Sequence, residues 1–345
     1  MALPIPPRGF TLIELLVVVA VISAASLLAF GAFTEDRAQL RYDDTRNRIK
    51  QLRVAILGES GPAAASPAAG FVADNGILPA HMAALLQADG LQAQGVMLPL
   101  FDPTPGSDCA NDGGELASPF GASPDPGAYL VKGHRGDYLG GLGFNGRFRD
   151  GWGNIGQGDD ALNFGWAVAA GANAPTLSIA SLGADNAPGG ADYAADQTSM
   201  IAAADWRVPL EGWSIGLRSL GDLPTTHLSL SLLTFVNDAA GGRWRRYSTA
   251  VGAVCLDGDG DGLVAGSPCP STHSFSFAAH CRAGDAGTGA SIIPQGRHLL
   301  VLTRHDTTSL WQSGDAPFLR NGRYTLARID AGAGRPLAAL TLEIR

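Results

Sequence analysis

Charge is what this chain has least of. Only 16% of its 345 residues are Asp, Glu, Lys or Arg, and their balance is acidic, formally −8. Proteins that hold nucleic acid do so largely by neutralising phosphates with basic side chains, so no nucleic-acid partner is expected. Cysteine is also scarce, at four: Cys109, Cys255, Cys269 and Cys281. Long helical patterns are missing beyond residue 60. In their place stand most of the 46 glycines and 21 prolines, which favour short strands joined by many turns. Long apolar runs are absent with one exception, Phe10 to Phe33, and that run carries a single charge, Glu14.

A membrane helix needs about 20 apolar residues at about 1.5 Å each, and this run is long enough. A carboxylate buried in hydrocarbon costs several kcal/mol, so it marks a function and a partner. Cutting the chain after Gly9 would create that partner, a free amine on Phe10, four residues before Glu14. An ordinary secretory signal has a shorter apolar region, no internal acid and a small-residue cleavage site. Ala29-Phe30-Gly31-Ala32 could be stretched into such a site, but Glu14 and the length of the run argue against it.

The run Gly9-Phe10-Thr11-Leu12-Ile13-Glu14-Leu15-Leu16-Val17-Val18 resembles the processing and assembly signature of type IV pilin-like proteins, including the pseudopilins of type II secretion. The resemblance implies cleavage after Gly9 by a prepilin peptidase, methylation of Phe10, and docking of Glu14 on the N-terminus of a neighbouring subunit. The leader, Met1 to Gly9 with Arg8 as its only charge, is similar to that family's leaders. A basic flank belongs on the cytoplasmic side. The implied location is a single pass through the bacterial inner membrane, with the N-terminus cytoplasmic before processing and the bulk periplasmic. The implied partners are the prepilin peptidase, other pilin or pseudopilin subunits, the inner-membrane assembly platform and membrane lipid.

Beyond Phe33 the chain turns charged, while Ala38, Tyr42, Thr45, Ile49, Leu52 and Ile56 recur at spacings of four and three. That stripe is one helical face. It predicts a continuous helix, first in the membrane and then amphipathic, ending between Gly58 and Pro62. Residues 61–69 read as a loop, and Ala80 to Gln87 as a short helix. Phe164 to Val168 and Leu177 to Ala180 read as strands. From about Ala204 strands dominate: Leu228–Leu233, His298–Thr303, Arg323–Ile329 and Leu337–Ile344.

Two acidic, Gly-rich loops are candidates for calcium, which takes six to eight oxygens from carboxylates and carbonyls. The first holds Asp185, Asp192 and Asp196, with the Leu182 carbonyl as a further ligand. Phe148-Arg149-Asp150-Gly151-Trp152-Gly153-Asn154 and Ser181-Leu182-Gly183-Ala184-Asp185 together resemble the major pseudopilin of type II secretion, whose second element binds calcium. Gly151 stands where that family has proline. The second loop, Asp257-Gly258-Asp259-Gly260-Asp261-Gly262, opens like an EF-hand, but Pro268 stands where the bidentate glutamate belongs. Without an ion, the first is a solvated acidic turn and the second a hairpin, since Asp-Gly pairs form turns.

An even number of cysteines in an exported domain points to disulfides. Four allow three pairings. Cys255 with Cys269 is expected, because it closes the second acidic loop, which leaves Cys109 with Cys281. Zinc on Cys269, His273, His280 and Cys281 competes poorly with disulfides in an oxidising compartment. His298 and His305 flank an apolar strand and are expected at the surface. Gly212-Trp213-Ser214-Ile215-Gly216 fits a nucleophile elbow, but Gly221 and Pro224 leave no room for its helix. Gly141 to Gly146 fits a dinucleotide fingerprint without the βαβ frame it needs.

The fold expected is α+β. A leader (1–9), a transmembrane helix (10–33) and its amphipathic continuation (34–60) precede a small pilin-like sheet domain (61–203). An appended β-sandwich-like domain (204–345) follows. The function implied is that of a non-enzymatic structural subunit, a minor pseudopilin of type II secretion, because a large appendage would crowd a tight helical array. The alternative is a minor type IV pilin with an adhesive tip domain. An enzyme displayed on such a stalk would need a polar constellation in a pocket.

Overall fold

The computed structural model describes residues 11–59, 69–99, 111–112, 125–140, 148–156, 159–169, 175–277, 292–308 and 314–345, with side chains of 27–34 and 111–112 excluded. Gly9, Phe10, Cys109, Cys281, His280 and the Gly141–Gly146 run therefore lie outside the described residues.

One helix, α1, runs from Leu12 to Leu57. Its last turns show the predicted stripe. Thr45, Leu52 and Ile56 are buried, whereas Arg46, Asn47, Lys50 and Gln51 face solvent. The helix stops at Gly58, whose φ of +81° suits glycine and whose missing Cβ would lie 2.4 Å from the Ala69 carbonyl oxygen. Among the described residues no helix is long and apolar enough to cross a membrane. Description of the apolar run's side chains stops at Ser26.

The buried face of α1 packs with α2 (Phe71–Asn75), a 3₁₀ turn at Met82–Leu85 in place of the predicted helix, and a three-stranded sheet. That sheet pairs Ala167–Ala169, Leu177–Ser181 and Gln197–Ile201 antiparallel in that order. Leu177, Ile179, Ile201, Trp166 and Trp206 close the core over Leu52 and Ile56. Arg53 fastens the helix to the sheet edge, bonding the Met200 carbonyl at 3.0 Å and Asp205 at 3.0 Å.

The remainder is β-rich, as predicted, but its central strand is far longer. Leu223–Asp238 spans 16 residues and pairs antiparallel with Gly296–His305, Gly241–Ser248 and Gly252–Leu256. Alternation sends Leu228, Leu230 and Leu232 into a core shared with a second sheet, Thr272–Ser276, Ser214–Ser219 and Leu340–Ile344. Leu233 and Phe235 enter a separate core with Trp244, Leu299 and Val301. Buried on both faces, the strand loses the simple in–out alternation its sequence promises.

The two regions interlock. Asn111–Asp112, from the earlier part of the chain, pairs with Gly241–Ser248. Asn237 Nδ2 donates to Asn75 Oδ1 at 2.8 Å, and Gln295 Nε2 to the carbonyl ending α1 at Leu57 at 2.6 Å. Lys132, 2% exposed, donates to the Ala73 carbonyl at 2.8 Å, and burial pulls its amine down to about 8.

His298 and His305 are not surface residues. They are 0% and 3% exposed. The two ends of their strand pair with different neighbours, His298 with Ile329 and His305 with His227, and both rings lie inside the fold. His298 Nε2 lies 2.8 Å from the Pro294 carbonyl oxygen, and Nδ1 has no partner among the described residues. Burial, aided by the Lys132 charge, pulls its ring from 6.5 to about 3.

Between those values the unfolded chain binds a proton that the folded chain refuses, so stability is lost as pH falls from about 6.5 towards 3. Unfolding free energies from urea titrations across that window should decline by an amount on the order of a few kcal/mol. His298→Leu should flatten the decline; an unchanged slope in that variant would assign the acid sensitivity elsewhere.

Candidate functional site

At the N-terminus the geometry is local and clear. Thr11 caps α1, and Glu14 completes a reciprocal capping box: Glu14 N–H donates to Thr11 Oγ1 at 3.3 Å, while Thr11 N–H donates to Glu14 Oε2 at 3.1 Å. The Thr11 hydroxyl donates to the same Oε2 at 3.1 Å. In the isolated chain, then, the carboxylate of the apolar run is spent on its own helix end. Around it Leu12, Ile13, Leu15, Leu16, Val17 and Ile22 are exposed on all sides. Such an all-round apolar helix is stable only when other apolar matter covers it.

The first acidic loop is docked against α1. Asp150 accepts from the Asn154 N–H at 3.0 Å, from Asn154 Nδ2 at 2.8 Å and from Ser181 Oγ at 2.5 Å. Asn154 Nδ2 also donates to the Gly183 carbonyl at 2.9 Å. The two pseudopilin-like elements, thirty residues apart, thus meet in one network. Gly151 is held close against the helix. Its N–H, which proline lacks, donates to Thr45 Oγ1 at 3.0 Å, and a Cβ there would lie 2.3 Å from the Arg41 carbonyl oxygen. Tyr193 closes the loop on the helix, donating to Gln39 Oε1 at 3.1 Å.

The three loop carboxylates are held apart within that frame. Asp185 accepts from the Ala187 N–H at 3.1 Å and Asp196 from the Gly189 N–H at 3.0 Å, while Asp192 opens a short 3₁₀ turn. Among the described residues, Asp185, Asp192 and Asp196 do not bring their oxygens into a cluster of three.

The second loop does gather three, but not the three the motif names. Among the described residues, Asp222, Asp257 and Asp259 bring carboxylate oxygens within 4.8 Å of one another. Asp261 instead accepts from the Leu263 N–H at 2.7 Å. Asp222 arrives because Leu256 pairs with Leu223, which sets the residue before one strand beside the residue after the other. No local pattern carries that signal; only the strand register does.

Electrostatics differ across this cluster. The Gly260 N–H, then that of Gly262, holds Asp257 below the usual carboxylate range. For Asp259 the Asp261 N–H pulls down, but partial desolvation and the charges of Asp222 and Asp261 outweigh it and push the group up. Cys255 and Cys269 are joined, with Cα atoms 5.6 Å apart, and brace the loop at its base. Cys109 and Cys281 fall outside the described residues.

Residues 7–30 match the family model described as the prokaryotic N-terminal methylation motif, the signature of type IV pilins and pseudopilins. The chain therefore carries a pilin-type N-terminus, with the processing and subunit assembly that such a motif implies. No curated protein and no solved structure matches it.

The 15-residue loop closed by Cys255 and Cys269 corresponds to about 3 kcal/mol of chain entropy. Replacing both cysteines with serine should lower the denaturation midpoint accordingly. An unaltered midpoint would show that the loop's hydrogen bonds suffice.

Proposed function

We propose that this chain is a pilin-like structural subunit of a type II secretion pseudopilus, cut after Gly9 and assembled through α1 to support protein export. The observation that carries this reading is the N-terminal motif with Glu14 inside it. A capping box already satisfies Glu14 in the single chain. Docking on a neighbour's Phe10 amine would exchange those hydrogen bonds for an ion pair out of water, where charge-assisted bonds are strongest. The exposed apolar face of Leu12 to Ile22 supplies the surface for lipid before assembly and for neighbouring helices after it.

From Phe10 to Phe33 the run would span roughly 36 Å as a helix, against a hydrocarbon thickness of about 30 Å. Single-pass inner-membrane anchoring, with the β-rich part in the periplasm, belongs to this proposal. So does a minor position, because the β-rich part is too bulky to repeat along a tight shaft. Assembly of this kind asks no catalysis of the chain. The minor type IV pilin remains the second reading, favoured by the size of the β-rich part. Loss of secreted enzymes on deletion supports the first reading; loss of twitching or adhesion with normal secretion supports the second.

Calcium is part of the proposal. The Asp222–Asp257–Asp259 set fits a hard cation that takes oxygen donors. The 182–196 loop, with dispersed carboxylates, fits it less well.

Three outcomes test the reading. The protein recovered from membranes should begin at methylated Phe10 only when the prepilin peptidase is present; a chain still starting at Met1 removes the filament assignment. Glu14→Ala should leave cleavage intact and abolish incorporation into filaments, and normal incorporation would undo the docking argument. Millimolar calcium should raise the melting midpoint of the full chain, and Asp259→Asn should erase that rise.

A further inference from the structure

Where the strand Gly296–His305 ends, the long strand runs on without it. Their last paired residues are His305 and His227. From Leu223 to Thr226 the only strand neighbour among the described residues is Gly252–Leu256. A cleft of about 460 Å³ opens at that point, within the size range of small-ligand sites. Arg304 and Asp306, on either side of His305, line it from the end of one strand, and Phe318 and Arg320 line it from the segment after Ala316–Pro317.

The charges in this cleft do not cancel one another. Arg304 and Asp306 are both exposed, and among the described residues neither side chain has a hydrogen-bond or ion-pair partner, the other included. Arg320 is half-buried and engaged, but only by neutral oxygens. It donates to the Ser219 hydroxyl at 2.9 Å and to the Gly221 and Asp222 carbonyls at 3.2 and 2.8 Å. The Asp222 carboxylate turns to Asp257 and Asp259 instead and is not part of the cleft wall. Two guanidinium charges therefore stand against one carboxylate.

The remaining walls are neutral or apolar. His305 has both ring nitrogens committed, Nδ1 to Asp315 and Nε2 to Ser229, each at 2.7 Å, so neither is free for a ligand. His227, beside it, supplies a ring N–H in either protonation state. Phe318 and Leu223 belong to the leucine core and show the cleft an apolar surface. A ligand must answer all three charges at once. A plain dianion would meet Asp306 as a like charge, and a plain amine would meet two arginines.

We propose that this cleft binds an acidic amino acid, a small ligand with two carboxylates and one ammonium. The carboxylates pair with Arg304 and Arg320, the ammonium pairs with Asp306, and the methylenes lie along Phe318 and Leu223. Charge-assisted hydrogen bonds of this kind are about twice as strong as neutral ones. The assignment is independent of the filament and calcium readings, since no group in the cleft belongs to the N-terminal helix or to the acidic cluster.

The test is isothermal titration calorimetry on the full chain, purified in detergent. EDTA is present, so that no probe is held through calcium on Asp222, Asp257 and Asp259. The probe is L-glutamate. Glutarate lacks its ammonium and L-glutamine lacks its second carboxylate, and each should bind about tenfold more weakly, the loss expected for one charged hydrogen bond. Arg304→Ala should weaken L-glutamate by about tenfold. Asp306→Asn should abolish the preference for L-glutamate over glutarate, which a merely structural role for Asp306 would leave in place. Both side chains are exposed, and a cooperative melting transition checks that each variant is folded. Wild-type protein with such a transition that takes up no L-glutamate at millimolar concentration overturns the proposal. So does glutarate binding as tightly as L-glutamate, or a folded Asp306→Asn variant that keeps the preference.

Discussion

The rest of the structure depends on covering the last three turns of α1. A helix of 46 residues carrying charges along most of its second half is drawn onto the rest of the chain chiefly because Leu52, Ala55, Ile56 and Leu57 must leave water. Each of the leucines and the isoleucine is worth about 1.5–3 kcal/mol when fully buried. Phe71, Met82, Leu177, Ile201 and two tryptophans assemble over that one stripe. Gly58 then ends the helix, and the carbonyl of Leu57 is claimed by Gln295, far along the chain. The helix that leads into the membrane proposal and the sheet at the other end of the sequence are therefore mechanically joined.

The long strand Leu223–Asp238 organises the second half. Its alternate side chains feed two cores, and its far end reaches α2 through Asn237. A central strand covered on both faces can hold polar groups only if they satisfy one another. Ser229, Ser231, Thr303, His305, Arg246 and Asp315 do so along one continuous chain of hydrogen bonds. In the acidic loop near Cys255, by contrast, most carboxylate oxygens are engaged by backbone N–H groups.

Local signals in the sequence were read well. The period of Tyr42, Thr45, Ile49, Leu52 and Ile56 gave the helix and its buried face, and Gly58 its end. Alternation and turn residues located the strands, though not their full length. The strand edges at Leu223 and Asp238 were hidden because pairing partners, not intrinsic preference, extend a strand. The Cys255–Cys269 pairing followed from the loop it closes. His298 and His305 were misplaced at the surface because two histidines at the ends of an apolar run look the same whether the ends are solvated or covered.

What the sequence determined by itself was everything that depends on neighbours within a few turns: the processing motif with its lone Glu14, the helical stripe and the turn chemistry of the acidic loops. What only the tertiary structure decided were meetings between distant residues. Asp222 joins Asp257 and Asp259 through strand register, the Gly151 N–H meets Thr45 on the helix, and Ser229, His305 and Asp315 align across paired strands and a loop. The physical reason is the same in each case. Local preferences act through bonds and fixed periods, whereas a site is built by packing, and packing is settled only when every buried face has found its cover.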